Sequence, residues 1–248
     1  MFGTREYAFG PLRQCLDSLV IMRRLFDICT EGLDFVSGLP ALYRAHRLDQ
    51  KPEHELTYRR LMDSAEFSRN EREQGFPLLH AYTLVSVWGS LEAAIEDMLV
   101  GILLNEQHVL ASDDLAKIKI PLGKFELLDK EERMRLLLGE VQRTQQSGLA
   151  QGASTFENVL RVFGLDGAVV DEIKKELWEL NHVRNVIVHR ASRADSRLVQ
   201  ACPAMNIKVG DLIVVTHEKY HGYIQAVAGY VQTIVRRLGN RYNTAHLA

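Results

Sequence analysis

From Leu78 to Leu104 the chain is almost continuously apolar, and that run limits the fold more than any other feature of the sequence. It is long enough to cross a bilayer as a helix. It also carries Glu92, Glu96 and Asp97, and three carboxylates inside a span are too costly in hydrocarbon. The run therefore predicts a helix from Pro77 to Asn105 that lies at the centre of a soluble bundle, apolar on every side because every side is covered. The N-terminus lacks the basic, then apolar, then small-residue order of a secretory leader, so the expectation is a cytoplasmic protein without a membrane anchor. Cys15, Cys29 and Cys202 are odd in number and far apart, with no CxxC pair. They predict reduced core thiols rather than a disulfide framework or a zinc site.

The rest of the chain also has helical spacing. After Pro11, a helix to Cys29 places Leu12, Leu16, Leu19, Leu25 and Ile28 at intervals of three and four, with Ile21 off that face. Gly32 and Ser37-Gly38-Leu39-Pro40 are expected to break it. Glu53 to Gln74 is dense in Arg and Glu, a solvated helix with internal ion pairs. A charged helix is expected from Asp129 to Gln145, then a flexible link through Gln146-Ser147-Gly148 and Gln151-Gly152. Ser154 with Glu157 fits a capping box for a short helix closed by Gly164. A second major helix runs from about Val169 to Ala191 and a last one from Glu218 to Leu238. Between them, residues 206–216 have the pattern of a small β-hairpin turning at Gly210-Asp211. The fold class is thus mainly α, with residues 1–76 a helical extension and 77–248 the principal helical domain, packed as one unit. The charges, 30 Lys+Arg against 32 Asp+Glu, exclude a wholesale polycation and leave room for a local basic patch.

One segment carries chemistry. On a helix, Asn181, Asn185 and His189 fall four residues apart and form a polar ridge, with Arg184 beside it and Ser192 extending it. The flanking residues are apolar, and buried polar groups need partners, so something must face this ridge. Arg184-Asn185-Val186-Ile187-Val188-His189 resembles the Arg-(Asn/Asp/His)-x3-His form of the motif of the HEPN superfamily. The long apolar helix with Glu92, preceded by Trp88-Gly89-Ser90-Leu91, resembles that family's earlier core helix. The resemblance spans roughly Leu78 to Leu238 and is specific only at the motif.

The resemblance implies a HEPN-like helical bundle that pairs as a homodimer about a two-fold axis, bringing two motifs into one cleft. Many members are metal-independent endoribonucleases of toxin–antitoxin or phage-defence systems; others are silent and only bind RNA, a nucleotide or a protein partner. RNA carries its own nucleophile, the 2′-hydroxyl, so cleavage needs proton transfer and charge stabilisation but no metal or other cofactor. Histidine transfers protons near neutral pH, and an arginine fork can hold a phosphate. In that scheme His189 is the acid–base residue, Arg184 the phosphate clamp, and Asn185 the group that orients either. Asn181 and Glu92 support them, Glu92 by pairing with Arg184 across the two core helices. The implied partners are RNA, a second copy of the chain and an antitoxin protein.

Other candidates have plainer explanations. Arg190, Arg193 and Arg197 could form an RNA-facing edge or be ordinary charge at a helix end. His217 and His221, four apart, have the spacing of paired metal ligands but no completing third residue, so they are expected as a surface pair. His182 falls off the polar ridge and is read as a bystander. Trp88 and Trp178 are expected as core or interface anchors. The chain has no Gly-rich phosphate loop and no nucleophile elbow.

Overall fold

The computed structural model describes residues 5–145 and 152–242. It consists of eleven α-helices in the order α1 (Glu6–Ala45), α2 (Glu55–Glu73), α3 (Pro77–Asn105), α4 (Gln107–Leu110), α5 (Asp113–Ala116), α6 (Leu122–Glu126), α7 (Lys130–Gln145), α8 (Ala153–Val162), α9 (Asp171–Arg190), α10 (Ser196–Ala201) and α11 (His217–Arg241), with no strand among the described residues. None of these helices is long and apolar enough to cross a membrane.

Helix α3 is the hub. It packs against α1, α7, α9 and α11, and Leu84, Leu91, Met98, Leu99 and Ile102 on it are fully buried. Its carboxylates lie where the bundle opens: Glu96 and Asp97 both accept from Arg135 of α7, at 2.9 and 2.7 Å. Apolar residues all round the helix and charges at its exposed seam are two consequences of one central position.

Helix α1 differs from the expectation. It runs unbroken through Pro11, Gly32, Gly38 and Pro40. Local breaking tendencies of roughly 1 kcal/mol per glycine and about 3 for proline are overridden because α2 and α3 line its length. Its Ala8, Phe9, Leu12, Cys15, Leu19 and Phe26 belong to the same hydrophobic core as α3. Residues 5–76 are therefore packed into the body of the molecule.

Three further local expectations are corrected. The capping box does not form: Gly152 is the N-cap of α8, at φ 58° and ψ −137°, and a Cβ there would meet Trp178 Cα at 2.8 Å. Glu157 is instead drawn across to α11, where it accepts from Tyr230 and Arg237 and from the Gly167 amide. Residues 206–216 make the turn at Gly210, where the Asp211 amide donates to Lys208 O, but no hairpin ladder. The extended arm bonds to the chain after α9: Ile213 N donates to Ser192 O at 2.7 Å and Ala194 N to Asp211 O at 2.8 Å, with one bridge between Arg193 and Leu212. Finally, Cys15 and Cys202 are buried thiols, whereas Cys29 is exposed. The expected link at Gln146-Ser147-Gly148 and Gln151 lies outside the described residues.

Candidate functional site

Helix α9 ends at Arg190 because Ala191 and Ser192 adopt left-handed backbone, φ 50° and 60°. The Ala191 and Ser192 amides cap the helix by donating to Val186 O. The chain then folds back through α10, whose N-cap Asp195 accepts from the Leu198 amide. This reversal sets α10 beside the last turns of α9 and leaves a groove of about 390 Å³ between them. His182, Asn185, His189 and Arg190 line it from α9, and Asp195 and Arg197 from the opposite side.

The polar ridge is a hydrogen-bonded ladder. Arg184 Nη1 donates to Asn185 Oδ1 at 3.1 Å, and Asn185 Nδ2 donates to Asn181 Oδ1 at 3.2 Å. Arg184 Nη2 lies 3.7 Å from Glu92 Oε2 on α3. The guanidinium is held from two sides while its Nε is buried with no hydrogen-bond partner. A partly exposed pair at that distance contributes little to stability; its effect is to fix where the guanidinium points. Glu92 also borders a second cavity, of about 270 Å³, between α3, α7 and α8.

The structure thus brings His189, Asn185, Arg190 and Arg197 to one groove. Arg184 joins them through Asn185 rather than by lining the groove itself. Asn181 stands behind Asn185, and Glu92 behind Arg184. Arg193 belongs elsewhere, its guanidinium donating to Gly210 O at 3.1 Å. Ser192 leaves the ridge because its left-handed backbone takes it off the helix. His189, Arg190 and Arg197 are solvent-exposed, so the ridge opens at the surface rather than being sealed in the bundle.

His182, read from the sequence as a bystander, is a wall of the same groove. It precedes Asn185 by three residues and His189 by seven, a spacing that shares one helix face; that was the available signal. Its imidazole is 6% exposed, lies 5.0 Å from the Trp178 ring, and has no partner at Nε2. Burial holds its pKa below the ordinary histidine value, and the Asp195 carboxylate only partly opposes that.

The two histidines at the start of α11 are the expected surface pair, and through His217 they also reach the core. His221 Nε2 is 2.9 Å from His217 Nε2, and His217 Nδ1 is 3.4 Å from Nε2 of His80, which is fully buried on α3. His80 stacks on Phe26 with ring centroids 4.7 Å apart, and burial pulls its pKa down to about 4. Trp88 is a core residue, and Trp178 donates its indole N–H to Ala201 O at 3.1 Å. Among the described residues there is no group of three or more His, Cys, Asp or Glu arranged to hold a metal ion. Compared with known protein families, curated proteins and solved structures, the chain matches none.

Proposed function

We propose that this chain is a metal-independent endoribonuclease of the HEPN type. The observation that supports it most directly is the arrangement around Asn185. One asparagine ties the Arg184 guanidinium to a groove lined by His189 and two further arginines.

In the proposed reaction the RNA 2′-hydroxyl attacks the adjacent phosphorus. His189 takes the hydroxyl proton or gives one to the departing 5′-oxygen. The P–O5′ bond breaks as the 2′-O–P bond forms, leaving a 2′,3′-cyclic phosphate and a 5′-hydroxyl. Arg184 stabilises the charge that gathers on the non-bridging oxygens, and Asn185 holds its direction. Arg190 and Arg197 bind flanking phosphates, which makes association strongly salt-dependent. Efficient cleavage uses two proton-transfer groups. His182 is too buried to shuttle protons to solvent or substrate, so the second is the His189 of another copy across a two-fold axis.

A second reading is a silent module of the same type that binds RNA, a nucleotide or a protein partner, an antitoxin among them. It is favoured by the engagement of Arg184 with both Asn185 and Glu92, which leaves it fewer donors for phosphate. Cleavage of a mixed RNA pool in EDTA separates the two, with wild type and His189→Ala compared at equal fold and oligomeric state. The expected result is wild-type cleavage and a loss of roughly 10²- to 10⁴-fold in the variant, the usual worth of acid–base help. Wild-type RNA binding without cleavage selects the silent module.

A further inference from the structure

Helix α1 has two apolar faces, and only one of them is used. The buried stripe, Leu12, Cys15, Leu19 and Phe26, packs into the core. On the opposite side, Ile21, Leu25, Ile28, Phe35 and Leu42 are each more than half exposed. Ile21, Ile28, Phe35 and Leu42 recur every seven residues, and Leu25, Gly32 and Leu39 recur every seven between them. That is a strict period of 3.5, the pattern that a partner helix reads in a left-handed coiled coil and that a helix lying on a globular core does not need.

We propose that this seam is a self-association surface on which α1 pairs antiparallel with α1 of a second copy. The occupant follows from two features. The first is the period, which demands a helix of matching repeat, and an identical α1 supplies one from Ile21 to Gly32. The second is charge. On one flank of the seam the positions seven apart are Arg24 and Glu31, both exposed. In an antiparallel pair such flanking positions meet their own kind, so Arg24 of each copy faces Glu31 of the other. In a parallel pair Arg24 and Glu31 face Cys29 and Val36 instead, without complementary charge. In the antiparallel register Leu25 packs on Ile28 of the second copy, and Ile21 fills the space over Gly32, where no side chain stands within 4 Å. This association does not depend on the ribonuclease reading, and the motif helix α9 takes no part in it.

The test is the mass of the full-length chain by light scattering in line with gel filtration, at tens of micromolar. The expected wild-type mass is an even multiple of 28.2 kDa. A Leu25→Glu/Ile28→Glu variant should halve that mass, with dissociation eased by more than about a hundredfold because carboxylates would be buried against apolar side chains. Both positions are exposed, so its helical circular dichroism should match the wild type. Arg24→Glu alone should weaken the assembly, and adding Glu31→Arg should restore it. A wild-type monomer, or a mass unchanged in Leu25→Glu/Ile28→Glu, overturns the proposal. Failure of the charge swap to restore assembly overturns the antiparallel arrangement.

Discussion

Single residues here act through what surrounds them, and His80 shows this most directly. It is fully buried beside Phe26 and Tyr220 and contacts His217. Desolvation and the neighbouring imidazoles bring its pKa to about 4, below the ordinary histidine value of about 6.5. The folded state therefore holds fewer protons than the unfolded one between those values, and stability falls as pH drops through that window. His80 alone contributes a loss of about 2 kcal/mol from pH 7 to pH 5. Urea unfolding at the two pH values should show His80→Gln with a shallower pH dependence by that amount; equal slopes would refute the assignment. Glu106 adds to the trend. Burial pushes its carboxyl up, but the Tyr242 hydroxyl and the Arg241 guanidinium outweigh this and hold it below the usual carboxylate value. Its contribution is present at neutral pH and is lost on acidification. In the proposed ribonuclease, Glu92 would orient Arg184, 3.7 Å away, rather than react. Glu92→Gln should lower RNA cleavage by less than about tenfold, since the pair is partly exposed, against the far larger loss for His189→Ala; equal losses in the two variants would place Glu92 in the chemistry itself.

At the scale of elements, α3 and α1 meet closely enough for one methyl group to matter. A Cβ on Gly101 would lie 2.3 Å from the Tyr7 carbonyl oxygen, and backbone cannot step aside as a side-chain tip can. Gly101→Ala gains up to about 1 kcal/mol of helix propensity, but forcing the two helices apart costs about 1–3 kcal/mol. The expected net effect is a lower urea midpoint. Gly89, on the same helix, meets nothing within 4 Å. Gly89→Ala should therefore raise the midpoint by the propensity gain alone. If both substitutions move stability the same way, the close approach of α1 to α3 is not what Gly101 serves. Helix α8 is tied to α11 by polar groups: Glu157 takes hydrogen bonds from Tyr230 and Arg237, and removing its carboxylate would take that acceptor from the buried Tyr230 hydroxyl, while Arg237 keeps Leu165 O and Ala168 O.

At the scale of the molecule, the N-terminal helices and the rest share one core. Ala8, Leu12 and Leu19 are buried against the same cluster as Leu84, Leu91 and Leu99. A chain beginning at Pro77 would expose that apolar wall, so it should be recovered aggregated or molten, with near-ultraviolet dichroism lost. The full chain should unfold in a single urea transition seen alike by tryptophan fluorescence and by helical dichroism. A soluble, cooperatively folding Pro77–Ala248 fragment would show that α1 and α2 are dispensable to the core.

The sequence alone determined the helices whose period is strong and whose ends carry clear stops. The span of α3, Pro77 to Asn105, is legible because an apolar helix bounded by proline and asparagine has few alternatives. The four-residue spacing of Asn181, Asn185 and His189 likewise needs only helix geometry. Tertiary structure decided the rest. Packing carried α1 through Gly32, Gly38 and Pro40, where the sequence predicted a break. A partner on another helix took Glu157 from its expected cap. The return of the chain through α10 turned His182 from a bystander into a groove wall. Periodicity is a property of one element and can be read from it; which faces meet depends on the register between elements, and no local spacing encodes that.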